Sequence, residues 1–297
     1  MNISRNRVKE LVTAALKEDI GEGDVTTEAC AFQKRNAKAK IIVKQWGVIA
    51  GLEIAKAVFE TLDSKINFQF LVKDGTEVKK GDVIAELSGH VVPILAGERT
   101  ALNFLGRLSG IATLTRKYVE KVKSYKAKIF DTRKTTPGLR DIEKYAVSVG
   151  GGQNHRMGLY DMVLIKDNHL MIGSRNIGEL VQAVRRKVSK NVRIEIEVEN
   201  LSQVREALQS QVDIIMLDNM DIQTIKKAVS LIQNSPKDKP TGQAKLKIKN
   251  LPEIEVSGEV SLNSVGEIAK CGVGRISVGN LTHSAKAMDI SLRIFNS

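Results

Sequence analysis

The sequence predicts an α/β protein in which a small N-terminal α+β domain precedes a shortened α/β barrel of about six parallel strands. From residue 128 onward, short apolar segments alternate with helical patterns, which is typical of a parallel sheet. The apolar run 162–165 shows no polar alternation, as expected for a strand buried on both faces. A complete eight-stranded barrel takes ~250 residues. Roughly 190 residues follow position 108, so we expect an incomplete barrel. The predicted domains are 1–108 and 109–297.

The N-terminal part mixes helical and strand periods. An amphipathic first helix is indicated by apolar residues at helical spacing: Val8, Leu11, Val12, Ala15 and Leu16. Segments 40–43 and 46–50 are predicted strands, and 54–62 is a predicted helix. The glycine loop 19–27 carries Asp24, Thr26 and Thr27, which either bind a ligand or, as we favour, belong to a plain connection. Segment 72–85 resembles the turns of biotinyl and lipoyl carrier domains. It lacks their exposed lysine, which favours a structural turn unit.

A long helix is predicted over 97–123, with an apolar stripe through Leu102, Leu105 and Leu108. Arg99 lies near its start and off the centre of this stripe. Gly106 and Gly110 would let a neighbouring backbone approach closely. We therefore expect this helix to contact the second domain or a second subunit.

The barrel elements follow in regular order. The predicted strands are 128–132, 161–166, 192–198, 212–217, 252–256 and 275–279. The predicted helices between them are 138–149, 175–189, 202–210, 221–233 and 262–271. Segment 234–250 contains two prolines and five lysines without a sustained period, so we predict a surface loop.

The densest group of basic residues lies between Asp131 and Leu170. Its members sit beside predicted strand ends or glycine turns: Arg133, Lys134, His155, Arg156, Lys166 and His169. In α/β folds, ligands bind at the carboxyl ends of the strands. A single lysine or arginine is usually an ordinary solvated charge. Several cations at one barrel mouth repel one another, so the whole set predicts a binding site for a polyanion.

An acidic pair is predicted at the same rim. In 192–199, Val192, Ile194, Ile196 and Val198 alternate with Arg193, Glu195, Glu197 and Glu199. On an outer sheet the charged face would be solvated, whereas in a small barrel it points inward and stays charged only near the rim. Glu197 and Asp218 are able to hold hydrated Mg²⁺ or ribose hydroxyls through carboxylate oxygens. Asp218 and Asn219 also suit the N-cap of the following helix, and the two roles are compatible.

Two small-residue strand ends predict phosphate binding. Ser257 and Gly258 follow one apolar strand, and Gly279 follows the next. The last two strands of such barrels bind phosphate through backbone N–H groups and a helix N-terminus. Thr282 and His283 come at the start of the final helix.

Composition narrows the function classes. The 297-residue chain has a formal net charge of +12, which suits either nucleic acid or an anionic small substrate. Aromatic residues make up 4% and no nucleic-acid-binding motif is present, so we expect no nucleic-acid partner. No apolar run approaches ~20 residues, so we expect no membrane partner. The first residues lack the apolar region of a signal peptide. Cys30 and Cys271 look like free thiols, which predicts a cytoplasmic protein.

With these residues in place, the chain resembles the quinolinate phosphoribosyltransferase family over almost its whole length. The most specific segments are GERTALNFLGRLSGIAT, DTRKTTPGLR, NHRMGLYDMVLIKDNH, IEIEVENL, IIMLDN and VGNLTHS. The resemblance implies an N-terminal open sandwich, an incomplete α/β barrel, and formation of nicotinate mononucleotide, pyrophosphate and CO₂ from quinolinate and phosphoribosyl pyrophosphate with Mg²⁺.

The resemblance also implies roles for residues. Arg99 would reach the site of a partner subunit in a homodimer. The basic substrate pocket would comprise Arg133, Lys134, His155, Arg156 and Lys166. The acidic pair would be Glu197 and Asp218, and the implied catalytic residues are this pair with Lys134 and Lys166. The phosphate loops would be Ser257, Gly258 and Gly279, with His283 close by. The family's second glycine after Ser257 is replaced here by Glu259.

Two alternatives stay open on the sequence. One is a related phosphoribosyltransferase-like protein that acts on another acid or base. The other is a non-catalytic protein that holds nucleic acid in the basic mouth, for which the +12 charge is the main support. Salt-steep oligonucleotide binding without quinolinate binding would favour the latter.

Overall fold

The computed structural model describes residues 3–30, 35–173, 176–210, 212–235 and 251–295. The chain divides into two compact units, and each is built from more than one stretch of sequence. Unit 1 comprises Met1–Arg116, Thr135–Gly151 and Asn280–Ser297. Unit 2 comprises Lys117–Lys134 and Gly152–Gly279.

The elements as far as the long helix are α1 (Arg5–Ile20), α2 (Val25–Ala29), β1 (Asn36–Val43), β2 (Gly47–Val48), α3 (Leu52–Leu62), β3 (Asn67–Phe70), β4 (Glu77–Val78), β5 (Val83–His90) and α4 (Val91–Val122). The later elements are β6 (Lys128–Phe130), α5 (Arg140–Val149), β7 (Val163–Ile165), α6 (Asp167–Gly173), α7 (Ile177–Lys187), β8 (Ile194–Val198), α8 (Leu201–Leu208), β9 (Ile214–Asp218), α9 (Ile222–Gln233), β10 (Glu253–Ser257), α10 (Val265–Lys270), β11 (Arg275–Ser277), α11 (Asn280–His283) and β12 (Ile290–Phe295).

Unit 1 contains an antiparallel sheet with strand order β12-β1-β5-β3. The central strand β1 buries Ala39, Ile41 and Val43 and leaves the alternate positions partly exposed, as expected for a sheet covered on one face. The last strand, β12, comes from the far end of the chain and pairs Leu292 with Ile41. The N-terminal domain predicted from 1–108 is therefore an α+β sheet unit that also recruits C-terminal residues.

Unit 2 is a six-stranded, fully parallel sheet with strand order β6-β11-β10-β9-β8-β7. The first two strands in sequence, β6 and β7, lie at opposite edges of the sheet, as the predicted incomplete barrel requires. All six strand predictions are confirmed, with ends that differ by no more than two residues. Because the strands are parallel, their carboxyl ends share one rim of the unit.

Burial on both faces of β8 agrees with a barrel interior. Ile194, Ile196 and Val198 are fully buried, and Glu195 between them is fully buried as well. The charged face of this strand therefore points inward, as one of the two sequence interpretations required.

Several local predictions differ from the structure. The polar loop 19–27 contains the start of a short helix, because the Asp24 side chain caps α2 by accepting a 3.0 Å bond from Thr27 N–H. The N-cap of α9 is Asp221, not Asp218 or Asn219, since the Asp221 carboxylate accepts a 2.8 Å bond from Thr224 N–H. The predicted turn unit is confirmed: Gly75 and Gly81 have φ of 92° and 96°, a region that favours glycine.

The two glycines of α4 are used within unit 1. A Cβ at Gly106 would lie 2.9 Å from the Met288 carbonyl oxygen, and one at Gly110 would lie 2.1 Å from that of Lys286. Gly106 O also accepts a 2.8 Å bond from Met288 N–H. The close backbone is that of the same chain, so the idea that these glycines admit a second subunit is wrong.

Three further expectations concern the whole chain. Both cysteines are free, as predicted. Among the described residues, no helix is both long and apolar enough to cross a membrane. The loop predicted over 234–250 lies outside the described residues from position 236 onward.

Candidate active site

The loop after β6 is fastened to the chain that precedes β7. Asp131 is fully buried, and its carboxylate accepts bonds from His155 N–H at 2.8 Å and from the Asn154 amide at 2.6 Å. Gln153 N–H donates to Ile129 O at 2.8 Å, so this chain runs beside β6 like an additional strand. Arg133 and Arg156 therefore emerge from two segments that are tied together at the rim.

Arg133 and Arg156 lie close enough to affect each other. Burial lowers the pKa of the Arg156 guanidinium, the charge of Arg133 lowers it further, and Glu195 and Asp161 oppose the shift. Arg156 Nη1 donates to Met162 O at 3.2 Å, which directs the side chain along the loop. Two part-buried guanidinium groups that repel each other form a site suited to a planar anion such as a carboxylate.

Beneath this pair lies a buried polar cluster that we name the inner cluster: His155, Glu195, Glu255, Arg275 and Ser277. His155 Nε2 lies 2.9 Å from a Glu195 oxygen and 3.3 Å from a Glu255 oxygen. Arg275 Nε donates to Glu255 at 2.5 Å, and Ser277 Oγ also bonds to Glu255. Both glutamates are fully buried. The Arg275 guanidinium also stacks 3.7 Å from the ring centre of Phe130.

The protonation of the inner cluster follows from its hydrogen bonds. Burial and the charge of Glu255 raise the pKa of Glu195. Burial alone would lower the pKa of His155, but the two carboxylates outweigh it and raise the pKa. Because Arg156 N–H donates to His155 Nδ1 at 2.8 Å, this bond favours the ring with its proton on Nε2, which faces the two carboxylates.

His155 was predicted to bind substrate, but the structure turns it inward. Its Nδ1 accepts a bond from the next residue and its Nε2 faces the two glutamates, while its side chain is 6% exposed. By ligand type and spacing, His155, Glu195 and Glu255 also form a possible metal site. Arg275 and Ser277 already bond to Glu255, so we interpret the cluster as a charge-balanced support for the loop that carries Arg156.

The predicted acidic pair lies on two neighbouring strands. Glu197 on β8 pairs in register with Met216 on β9, two residues before Asp218. Lys166 Nζ, at the end of β7, forms an ion pair with Glu197, whose side chain is 10% exposed. Asp218 accepts a 2.8 Å bond from the Asn219 amide. Two carboxylates at adjacent strand ends supply the hard oxygen donors that Mg²⁺ prefers, so the residues present fit that ion.

The first predicted phosphate loop packs directly against Asn219. Gly258 has φ of 91°, and a Cβ there would lie 2.1 Å from the Asn219 side-chain oxygen and 2.8 Å from its backbone nitrogen. Asn219 N–H donates to Ser257 O at 3.1 Å, which joins the ends of β9 and β10. The next residue, Glu259, is exposed and has φ of 43°, the region that glycine favours. A glycine would adopt this backbone conformation without the strain that Glu259 bears.

The remaining predicted residues lie in both units. Gly279 follows β11 in unit 2, where Val278 N–H donates to Phe130 O at 2.9 Å. Lys134 is exposed, and its N–H donates to Thr132 Oγ1 at 3.1 Å. Arg99 on α4 and His283 on α11 are exposed and belong to unit 1. The geometry within unit 2 thus groups Arg133 with Arg156, Lys166 with Glu197, and Asp218 with the Ser257–Gly258 turn.

Three residues of the inner cluster were not among the predicted site residues: Glu195, Glu255 and Arg275. A signal was present for the first two, because Glu255 lies between Ile254 and Val256 just as Glu195 lies between Ile194 and Ile196. An inward glutamate on two barrel strands predicts a buried carboxylate pair. What no pattern along the chain shows is that β10 and β8 direct both carboxylates at one histidine.

Two family models match the chain. The model for the quinolinate phosphoribosyl transferase N-terminal domain matches residues 24–109, and that for the C-terminal domain matches residues 111–293.

Curated relatives and solved structures agree with these models. A probable nicotinate-nucleotide pyrophosphorylase (carboxylating) from Bacillus subtilis is 42% identical over 288 residues, which cover 97% of this chain and 93% of the relative. A protein of the same description from Synechocystis is 42% identical and covers 94% of this chain and 90% of its own length. The crystal structure of NadC from Streptococcus pyogenes is 37% identical, with a TM-score of 0.89 and 100% of both chains covered.

Proposed function

Because the chain belongs to the quinolinate phosphoribosyltransferase family, we propose that the rim of unit 2 is the active site and that Arg133 and Arg156 bind the two carboxylates of quinolinate. The enzyme transfers the phosphoribosyl group from phosphoribosyl pyrophosphate to quinolinate with decarboxylation, and it releases nicotinate mononucleotide, pyrophosphate and CO₂ in NAD biosynthesis. Family membership also argues against the alternative of a non-catalytic nucleic-acid-binding protein, which was supported mainly by the net charge.

One observation carries the pocket assignment. Arg133 and Arg156 lie on two segments that Asp131 and Gln153 tie together, and the charge of Arg133 lowers the pKa of Arg156. The electrostatic repulsion between the two arginines is relieved when a dianion lies between their guanidinium groups. Quinolinate offers two carboxylates on adjacent ring carbons, and the planar fork of arginine suits each of them.

The remaining residues are assigned to the charged groups of the second substrate, phosphoribosyl pyrophosphate. Lys134 and Lys166 act as point charges on its phosphates. The backbone N–H groups of the Ser257–Gly258 turn and of Gly279 bind the 5′-phosphate. His283 is a further phosphate-binding residue of this proposal. Glu197 and Asp218 accept hydrogen bonds from the ribose hydroxyls. They also stabilise the positive charge that develops on the sugar carbon as the pyrophosphate leaves. The same two carboxylates would hold Mg²⁺, which would supply positive charge to the leaving pyrophosphate when bound.

Decarboxylation places different demands on the pocket. Once the pyridine nitrogen is alkylated, its positive charge stabilises the electron pair left on the ring carbon when the 2-carboxylate departs as CO₂. That carbon then takes up a proton from the solvent, which gives nicotinate mononucleotide. The protein must hold the ring in one orientation during these steps. The inner cluster contributes by fixing the backbone that carries Arg156.

The same proposal includes a homodimer in which Arg99 completes the partner subunit's site. Arg99 is exposed on α4, and within the described residues its guanidinium forms no hydrogen bond or ion pair. Four large apolar side chains of unit 2 are more than 70% exposed, which supports a covered surface: Leu159, Tyr160, Met171 and Ile172. A two-fold axis would use one arginine per chain to complete two sites.

The two free cysteines support a cytoplasmic enzyme, where thiols stay reduced. The experiment that tests the function follows ¹⁴CO₂ from carboxyl-labelled quinolinate and nicotinate mononucleotide by chromatography. Both products should form in equal amounts only when both substrates are present. Absence of both products with folded protein would reject the function.

A further inference from the structure

Unit 1 contains a buried ion pair that the reaction steps above do not use. Arg107 on α4 and Glu143 on α5 lie 2.7 Å apart from Nη2 to Oε1, and Arg107 Nε donates to the same oxygen at 3.0 Å. The Glu143 side chain is fully buried. Because desolvation offsets most of the attraction in such a pair, its presence is weak evidence for a role in stability alone.

The arginine also binds the chain on both sides of His283. Arg107 Nη1 donates to Ala285 O at 3.1 Å, and Nη2 donates to Thr282 O. Thr282 is fully buried, whereas His283 between the two acceptors is exposed. One guanidinium therefore fixes the backbone of α11 and of the turn after it.

The glutamate in turn binds the segment that follows Lys134. Glu143 Oε2 accepts a 3.1 Å bond from Thr136 N–H, and Oε1 accepts a 2.8 Å bond from Thr136 Oγ1. Thr136 lies only two residues after Lys134, so its anchoring limits where the preceding chain can go. The carboxylate is saturated, because both of its oxygens accept bonds from Arg107 or Thr136.

We propose that Arg107 and Glu143 are positioning residues that fix the segments carrying Lys134 and His283 for binding of the phosphorylated co-substrate. The inference rests on the proposed function, which gives those two residues their contacts with phosphoribosyl pyrophosphate. Neither Arg107 nor Glu143 touches the substrates, and each acts through backbone that it holds in place.

The same helix offers a matched control. Arg116 also forms an ion pair, with Glu77 at 3.0 Å, and also binds a carbonyl oxygen, that of Gly150 at 3.1 Å. Glu77 and Gly150 lie in neither the Thr136 segment nor the 282–285 segment. Arg116→Lys therefore replaces a guanidinium group on α4 by an ammonium group and leaves the contacts of Arg107 and Glu143 unchanged.

The test is steady-state kinetics of Arg107→Lys, Glu143→Gln and Arg116→Lys, at a temperature well below each melting transition. For the first two variants we expect the KM for phosphoribosyl pyrophosphate to rise about tenfold and kcat to fall about tenfold, since small misplacements of a binding group have effects of this order. Quinolinate binding, measured by calorimetry, should change less than about twofold, as should every parameter of Arg116→Lys, because those contacts are unchanged.

The outcomes separate the possibilities. If Arg107→Lys and Glu143→Gln melt at lower temperature but keep the wild-type KM for phosphoribosyl pyrophosphate, the pair is only structural and the proposal is wrong. If either variant fails to fold, Thr136→Val removes the hydroxyl contact alone and must still raise that KM. A wild-type enzyme that forms no nicotinate mononucleotide would instead refute the proposed function.

Discussion

At the scale of single residues, the inner cluster contains two equally buried glutamates whose pKa values shift in opposite directions. Burial raises the pKa of Glu255, but the hydrogen bond and charge of His155, together with Arg275, outweigh burial and lower it. Burial and the charge of Glu255 raise the pKa of Glu195. Equal burial therefore does not imply an equal role.

The first prediction separates these two glutamates. Glu195→Gln should change the free energy of unfolding by less than about 1 kcal/mol, because the raised pKa of Glu195 favours a neutral carboxyl that the amide resembles. Glu255→Gln should cost ~3–5 kcal/mol, because it leaves the largely buried Arg275 guanidinium with only the more exposed Glu253 as its counter-charge. Urea denaturation measures both. Equal, large losses would mean that both glutamates are ionised and that His155 is the cation.

The same assignment fixes a pH dependence. Because the folded-state pKa of Glu195 is raised, folding takes up a proton, and the stability from this group is present at low pH and lost as pH rises through the folded pKa. Glu195→Gln cannot titrate, so its stability should fall less than that of the wild type as pH rises above the ordinary pKa of a glutamate. Parallel curves for the two proteins would contradict the raised pKa.

A second residue-scale prediction concerns Glu259. A side chain in the left-handed region costs roughly 1–2 kcal/mol, and glycine does not bear this cost. Glu259→Gly should therefore stabilise unit 2 by up to about 1 kcal/mol, after the greater flexibility of glycine in the unfolded chain is taken into account. Chemical denaturation provides the measurement, with Gly258→Ala as the opposite case because its Cβ would meet Asn219. A destabilised Glu259→Gly would show that the glutamate side chain makes a contact worth more than the strain.

At the scale of elements, the order and type of the barrel strands follow from the sequence. The sequence of a buried parallel strand is a continuous apolar run, and segments 214–217 and 163–165 show this pattern. Two elements could not be predicted from a local pattern of this kind. The helix α6 begins with polar residues that carry no helical period, and β12 is defined by pairing with β1, two hundred and more residues earlier in the chain. Both elements depend on contacts with distant parts of the chain, so a short window of sequence does not predict them.

The site shows the same division. Arg133 and Glu197 were candidates because each follows or ends an apolar strand, where barrel ligands bind, and Arg156 was a candidate because it follows a glycine turn. The pairing of Arg107 with Glu143 was not, since each residue looks like one polar position on an amphipathic helix. Only the packing of α5 and of the 282–285 turn against α4 turns those two positions into one network.

The element-scale prediction uses two helical glycines. Gly110→Ala places a methyl group 2.1 Å from Lys286 O and should destabilise unit 1 by ~1–3 kcal/mol despite the better helix propensity of alanine. Gly178→Ala in α7 is the matched control, because its nearest neighbour is a side-chain oxygen at 3.4 Å. That variant should be neutral or up to about 1 kcal/mol more stable. If both respond alike, the contact between α4 and 286–288 is looser than the structure indicates.

At the scale of the whole molecule, the proposed dimer makes the site depend on two chains. Arg99→Ala and Lys134→Ala homodimers should each be nearly inactive. A heterodimer of the two variants contains one site with both defects and one with neither, so activity should approach half that of wild type per dimer. Differently tagged subunits allow the heterodimer to be isolated and assayed. No recovery in verified heterodimers would mean that Arg99 does not serve the partner's site.

The central claim is that the two arginines on the rim of unit 2 recognise the dicarboxylate that the enzyme decarboxylates. The measurement that tests it most directly is kcat/KM for quinolinate in Arg133→Ala and Arg156→Ala, with folding checked by circular dichroism. Each variant should lose ~2–4 kcal/mol of transition-state stabilisation, a fall of roughly 30-fold to 1,000-fold, because a charge-assisted contact is removed from a part-buried site. Values of kcat/KM close to wild type in both variants would contradict the assignment of the pocket.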